Sequence, residues 1–127
     1  MNIKKITPIL VVDAIEPGLA FWQDQLGFTK IVDVPHEGSL GFALLSREGV
    51  GAIMLQTRAS LAVDLPAIAA RNPTAFLYVD VTSLKDALAE ARGAAVIVDE
   101  RTTFYGAHEA AVVEPSGQIV VFSMHES

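Results

Sequence analysis

Cysteine is absent from the chain. That absence removes disulfide bonds, thiolate nucleophiles and sulfur metal ligands together, and it suits a cytoplasmic protein. Long apolar runs are also missing. The longest are of strand length, too short for a membrane-spanning helix, and no signal-peptide core follows Met1-Asn2-Ile3-Lys4-Lys5. Basic charge is scarce: 9 Lys and Arg stand against 15 Asp and Glu, a net charge of −6. Such a surface repels phosphates, which argues against a nucleic-acid partner. It is compatible with a cationic small molecule, and acidity also serves solubility. The glycines are scattered, with no phosphate-loop or dinucleotide spacing, and no serine sits in a G-x-S-x-G elbow. Asn72-Pro73-Thr74 has the outline of a glycosylation site, but its central proline blocks it.

What is present is an order of elements that occurs twice. A chain of 127 residues suits one domain, large enough to bury a core without staples. "PILVVDAIEPGLAFWQDQLGF" runs strand, Asp, helix, glycine stop, and "AFLYVDVTSLKDALAEARGAAV" runs the same way. Val12-Asp13 and Val79-Asp80 align the two copies. The first helix is expected over Glu16–Leu26, with Pro17 in its first turn and Leu19, Trp22 and Leu26 on one face. Ser83 caps the second, with Asp86 three residues on, Arg92 in its last turn and Gly93 as its stop. Strands are expected at 30–34, 40–46 and 51–57 after the first helix, and at 94–98, 107–113 and 118–124 after the second. "LAVDLPAIAARNP" reads as a helical connector, capped by Asp64 with Pro66 in its first turn. In "VVEPSGQIVVF", Pro115 and Gly117 form a turn ahead of an apolar strand, and Glu114 is a turn residue.

Paired βαβββ modules, "FWQDQLGF" after the first strand and "YGAHEAAVVEPSGQIVVF" at the end resemble the vicinal oxygen chelate superfamily of glyoxalases, bleomycin-resistance proteins and dioxygenases. The resemblance covers essentially the whole chain. It implies an α+β fold of two βαβββ modules, about 1–60 and about 72–127, forming curled mixed β-sheet cups within one domain, residues 1–127. In the superfamily's enzymes a divalent metal sits in the cup, held by His and Glu, Gln or Asp at four strand positions. The resemblance places these at Thr7, Met54, Thr74 and Val121. A thioether is too soft for such metals, the hydroxyls are weak neutral ligands and Val has no ligand atom. A slip of one residue reaches Ile6, Ile53, Pro73 and Val120, which is no better. A slip of two finds only Gln56, on the strand face of Met54. The pattern therefore resembles the metal-free bleomycin-resistance branch, whose members bind a drug in clefts between two chains.

The histidines and aromatics admit both chemical and packing roles. His36 and His125 are expected as solvated loop and tail residues. His108 and Glu109 are neighbours on a strand, so they point to opposite faces and only one enters the cup. Tyr105, His108 and Glu109 would suit metal-free acid/base work. The plainer reading of them is an outer-face polar residue beside a loop aromatic. Trp22 is a packing anchor. Phe76 and Tyr78 share the face of Thr74 and point toward the cup. Tyr105-Gly106 matches an aromatic-glycine pair that packs on ligand in the bleomycin-binding relatives.

These readings add up to a protein that binds a hydrophobic or cationic small molecule as a homodimer, with no membrane or nucleic-acid partner. The expected ligand-binding residues are Thr7, Met54, Gln56, Thr74, Phe76, Tyr78, Tyr105, Glu109 and Val121. No catalytic residue, metal or cofactor is assigned. The alternative is a lyase or isomerase of the same fold with a displaced or absent metal site.

Overall fold

A computed structural model describes residues 1–125. The strands are β1 (Ile3–Val12), β2 (Thr29–His36), β3 (Ser39–Arg47), β4 (Gly51–Thr57), β5 (Ala75–Val81), β6 (Ala95–Thr102), β7 (Ala107–Val113) and β8 (Ile119–His125). The helices are α1 (Glu16–Leu19), α2 (Arg58–Asp64), α3 (Pro66–Ala69) and α4 (Leu84–Glu90). The class is α+β, and the βαβββ order appears twice, with α2 and α3 in the connector. No helix among the described residues is long and apolar enough to cross a membrane.

The chain divides into two compact units, Pro8–Ala75 and Met1–Thr7 with Phe76–Ser127. In the first, the strands lie in the order β2-β3-β4-β1, with β1 parallel to β4 and the other pairs antiparallel. Ile15, Ala43, Leu45 and Leu55 form its core, with Leu19, Trp22 and Phe28 packed against them. Trp22 meets Phe28 edge-on at 5.2 Å, so it is a packing residue. The first helix departs from expectation. After one α-helical turn, Ala20–Gln25 widens into a π-turn, and the Leu26 N–H donates to the Phe21 carbonyl five residues back. The wider turn carries Leu26 off the Leu19–Trp22 face, leaving it 37% exposed. The connector helix is also capped differently. Thr57, at the end of β4, accepts the Ser60 N–H, so the helix starts earlier than read and Asp64 falls at its end. Pro66 opens the separate α3.

In the second unit the order is β5-β8-β7-β6, with β5 parallel to β8 and the rest antiparallel. Ser83 accepts the Asp86 N–H and caps α4, as its position predicts. The helix ends at Glu90, before Arg92. Strand alternation divides this sheet's two faces. Val79 and Val81 on β5 and Val120 and Phe122 on β8 pack with Ala87 of α4. Phe76, Tyr78 and Asp80, and Val121, Ser123 and His125, therefore occupy the other face.

One close approach fixes the β2–β3 hairpin. A Cβ on Gly41 would stand 2.6 Å from the His36 Cβ and 3.1 Å from the Ser60 Cβ. A Cβ cannot rotate aside as a flexible side-chain end does. Gly41→Ala is therefore expected to lose about 1–3 kcal/mol of stability, read as a lower urea midpoint at unchanged m-value.

Candidate functional site

The face of the second unit turned away from α4 carries a polar cluster. β7 and β8 pair Glu109 with Ser123 and Ala111 with Val121, while β5 sets Tyr78 beside Val121 and Asp80 beside Ser123. β6 sets Arg101 opposite Glu109 across irregularities in its register. A turn closed by the Gly106 N–H on the Thr103 carbonyl, with Gly106 at φ +83°, presents Phe104 and Tyr105 beside the same strands.

Glu109 lies at the centre and is 2% exposed. Its Oε2 accepts the Tyr78 and the Tyr105 hydroxyls, each at 2.6 Å, and its Oε1 accepts an Arg101 guanidinium N–H at 3.1 Å. A buried carboxylate costs several kcal/mol unless paired and hydrogen-bonded, and here both oxygens are engaged. The Tyr78 hydroxyl also lies 2.7 Å from the Ser123 Oγ and 3.5 Å from the His125 Nε2. His125 Nε2 stands 3.4 Å from Ser123 Oγ and 3.4 Å from Asp80 Oδ1. The His125 ring stacks beside Tyr105, with centroids 6.1 Å apart. Phe104 meets Tyr105 edge-on at 5.0 Å and is 88% exposed, against 49% for Tyr105. Burial pushes the Asp80 carboxyl up, partly offset by His125, Lys5 and Lys4.

The structure brings Tyr78, Tyr105 and Glu109 together, with Val121 buried beside Tyr78 and Phe76 buried on the same face. Thr7 is buried in the same unit. Met54, Gln56 and Thr74 belong to the other unit. There Met54 lies beside Ile9, the Gln56 amide donates to the Ser60 hydroxyl at 3.5 Å, and Thr74 is exposed just before β5. Two readings need correction. Glu109 is an inward group held by its neighbours, not an outer-face polar residue, and His108 takes the other face. His125 is a strand residue within the cluster, because β8 runs on past the apolar stretch and keeps its alternation. Arg101, Ser123, Asp80 and His125 were all missed as site residues. The parity of β8, with Ser123 and His125 two and four positions after Val121, is the signal that would have found two of them.

The four positions that the resemblance assigns to a divalent metal carry two hydroxyls, a thioether and a hydrocarbon, a set that does not fit such an ion. Among the described residues no three His, Asp or Glu side chains gather as a ligand set.

The chain's two tyrosines both donate to Glu109, and burial followed by that carboxylate pushes both phenols well above their ordinary value. A phenol held neutral by folding stabilises the protein fully below its unfolded value of about pH 10, and that stability is lost progressively as pH climbs from there through the raised folded value. Absorbance at 295 nm should therefore show both tyrosines ionising only together with alkaline unfolding. A phenol titrating near pH 10 in the folded protein contradicts the cluster. Glu109→Ala removes the shared acceptor of two phenols and an Arg101 N–H, and should cost roughly 3–5 kcal/mol in a denaturant titration.

The profile of the Glyoxalase/Bleomycin resistance protein/Dioxygenase superfamily matches residues 3–122. Comparison with curated protein sequences found no match. Among solved structures, a superfamily member from Vibrio splendidus 12B01 is 20% identical with a TM-score of 0.70, covering 97% of this chain and 99% of its own. A hypothetical protein of Bacillus halodurans C-125 is 19% identical with a TM-score of 0.74, covering 100% and 97%. Methylmalonyl-CoA epimerase from Mycobacterium tuberculosis is 14% identical with a TM-score of 0.71, covering 98% and 90%. At these identities the structures share the fold, which is the glyoxalase/bleomycin-resistance fold. With the profile spanning nearly its whole length, the chain belongs to the glyoxalase/bleomycin resistance protein/dioxygenase superfamily.

Proposed function

We propose that this protein binds a small hydrophobic or cationic molecule and sequesters it as a homodimer, in the manner of the bleomycin-resistance branch. The observation that carries this reading is the state of Glu109. It is the only charged side chain among the buried ones described, and both its oxygens are already engaged, by Tyr78, Tyr105 and Arg101. A base must have a lone pair within reach of the proton it takes. Glu109 instead holds a phenol-lined wall in place. Above that wall Phe104 and Tyr105 offer aromatic surface to solvent, the usual seat for a flat or cationic ligand. Sequestration needs only a dissociation constant below the working ligand concentration.

One observation favours the second reading, a lyase or isomerase without the usual metal. His125 is half-exposed and pairs with Asp80, an arrangement that positions an imidazole for proton transfer. Catalysis of that kind would exchange an acidic C–H of a bound ligand in deuterated water, whereas sequestration leaves the ligand unlabelled.

Calorimetry with a bleomycin-type glycopeptide is expected to give saturable heat and a raised unfolding temperature. Affinity for a cationic ligand should fall as salt rises. Phe104→Ala should weaken binding about threefold to tenfold and leave the unfolding temperature unchanged, since that ring packs on little. Native mass measurement should show a dimer. Neither heat nor thermal shift with the glycopeptide would remove the drug-binding claim.

A further inference from the structure

The hydrogen bonds of the cluster have a direction, and it ends at one atom. A carboxylate only accepts, so the single hydroxyl hydrogens of Tyr78 and Tyr105 both go to Glu109. The Tyr78 oxygen must then accept from Ser123, 2.7 Å away. Ser123 has spent its own hydrogen, so its Oγ accepts in turn. His125 Nε2 thus faces three acceptors: Ser123 Oγ and Asp80 Oδ1 at 3.4 Å, and the Tyr78 oxygen at 3.5 Å. That nitrogen carries the hydrogen of the neutral ring, and Nδ1 carries the lone pair. The side chain is 48% exposed and stands beside the Tyr105 ring.

We propose that His125 Nδ1 is the ligand-reading acceptor of this site and that the ligand is a planar organic cation bearing an N–H donor, of the amidinium or amino-heteroaromatic kind. This rests on the binding reading above and narrows it. The flat ring lies against Phe104 and Tyr105, and its N–H points at Nδ1. Its charge is met by Asp80, whose partly buried carboxylate lacks full solvation. The charged and hydrogen-bonding groups around the imidazole are Asp80 and Tyr78 of β5, Glu109 of β7 and Tyr105 of the β6–β7 turn.

Two dyes make the test. Proflavine is a planar cation with N–H donors, and 10-methylacridine orange is a related planar cation with none. Fluorescence anisotropy of the full chain should show proflavine binding about threefold to tenfold more tightly. His125→Gln keeps a donor near the Nε2 position and deletes the Nδ1 acceptor. It should erase the preference without a change in unfolding temperature. His125→Asn restores an acceptor near Nδ1, so the preference should return. Equal binding of the two dyes, or a preference unchanged in His125→Gln, overturns the assignment and leaves the binding reading standing. Binding of neither dye overturns the assignment, while the glycopeptide titration decides the broader reading separately.

Discussion

The arrangement depends on one buried carboxylate. Glu109 is removed from water, and the several kcal/mol that this costs are offset only while three donors point at it. Those donors come from β5, β6 and the turn before β7. Each must hold its register to reach. A one-residue slip of β7 would turn Glu109 toward the α4 side and bring His108 inward. The charge therefore specifies one strand alignment out of several that the apolar residues alone would tolerate, since Ala110, Ala111 and Val112 are all buried and differ little in character.

The same sheet accounts for the composition of its final strand. Ile119–Phe122 is apolar because both its faces are covered: Val120 and Phe122 pack toward α4, and Val121 lies between Tyr78 and Ala111. Where the apolar run ends, alternation continues, and the next two residues on the inner face are Ser123 and His125. The strand thus grades from packing to polarity along its length. The wall at Val121 excludes water, which strengthens the hydrogen bonds beside it, and the far end meets solvent at the imidazole.

The parts of this fold that were legible in the sequence are those written locally. Ser83 and Asp86 are three residues apart and make their cap. Gly117 and Glu114 close their turn over the same span. Strands β4 and β7 begin and end where their side-chain patterns do. The cluster was legible only in pieces. Parity showed that His108 and Glu109 part company, but not which one faces inward. Tyr78 meets Glu109 across 31 positions, Ser123 across 45 and His125 across 47. Such pairings are settled by strand order and register, which no short window contains. The π-turn in the first helix and the Thr57 cap are smaller misses of another kind. Each replaced the expected local choice with another local one.

The repeated order of elements sharpens the point, because the two copies share a pattern and not a chemistry. Val12-Asp13 and Val79-Asp80 are equivalent in that pattern. In the first copy the residue two before the aspartate is Val11, buried and apolar, and Asp13 is exposed with Arg58 at 3.4 Å. In the second copy that position is Tyr78, and Asp80 is partly buried with His125 at 3.4 Å. Replacing a valine by a phenol at a buried position requires an acceptor within reach. Glu109 supplies it, and Arg101 offsets the charge so introduced. Each polar residue in the second copy thus demands the next, and the chain of demands ends only where a group reaches water. Such a network is wholly formed or strongly destabilising, and among the described residues the other copy's unit, Pro8–Ala75, holds buried polar groups only at Gln56 and Thr57, where the connector helix begins.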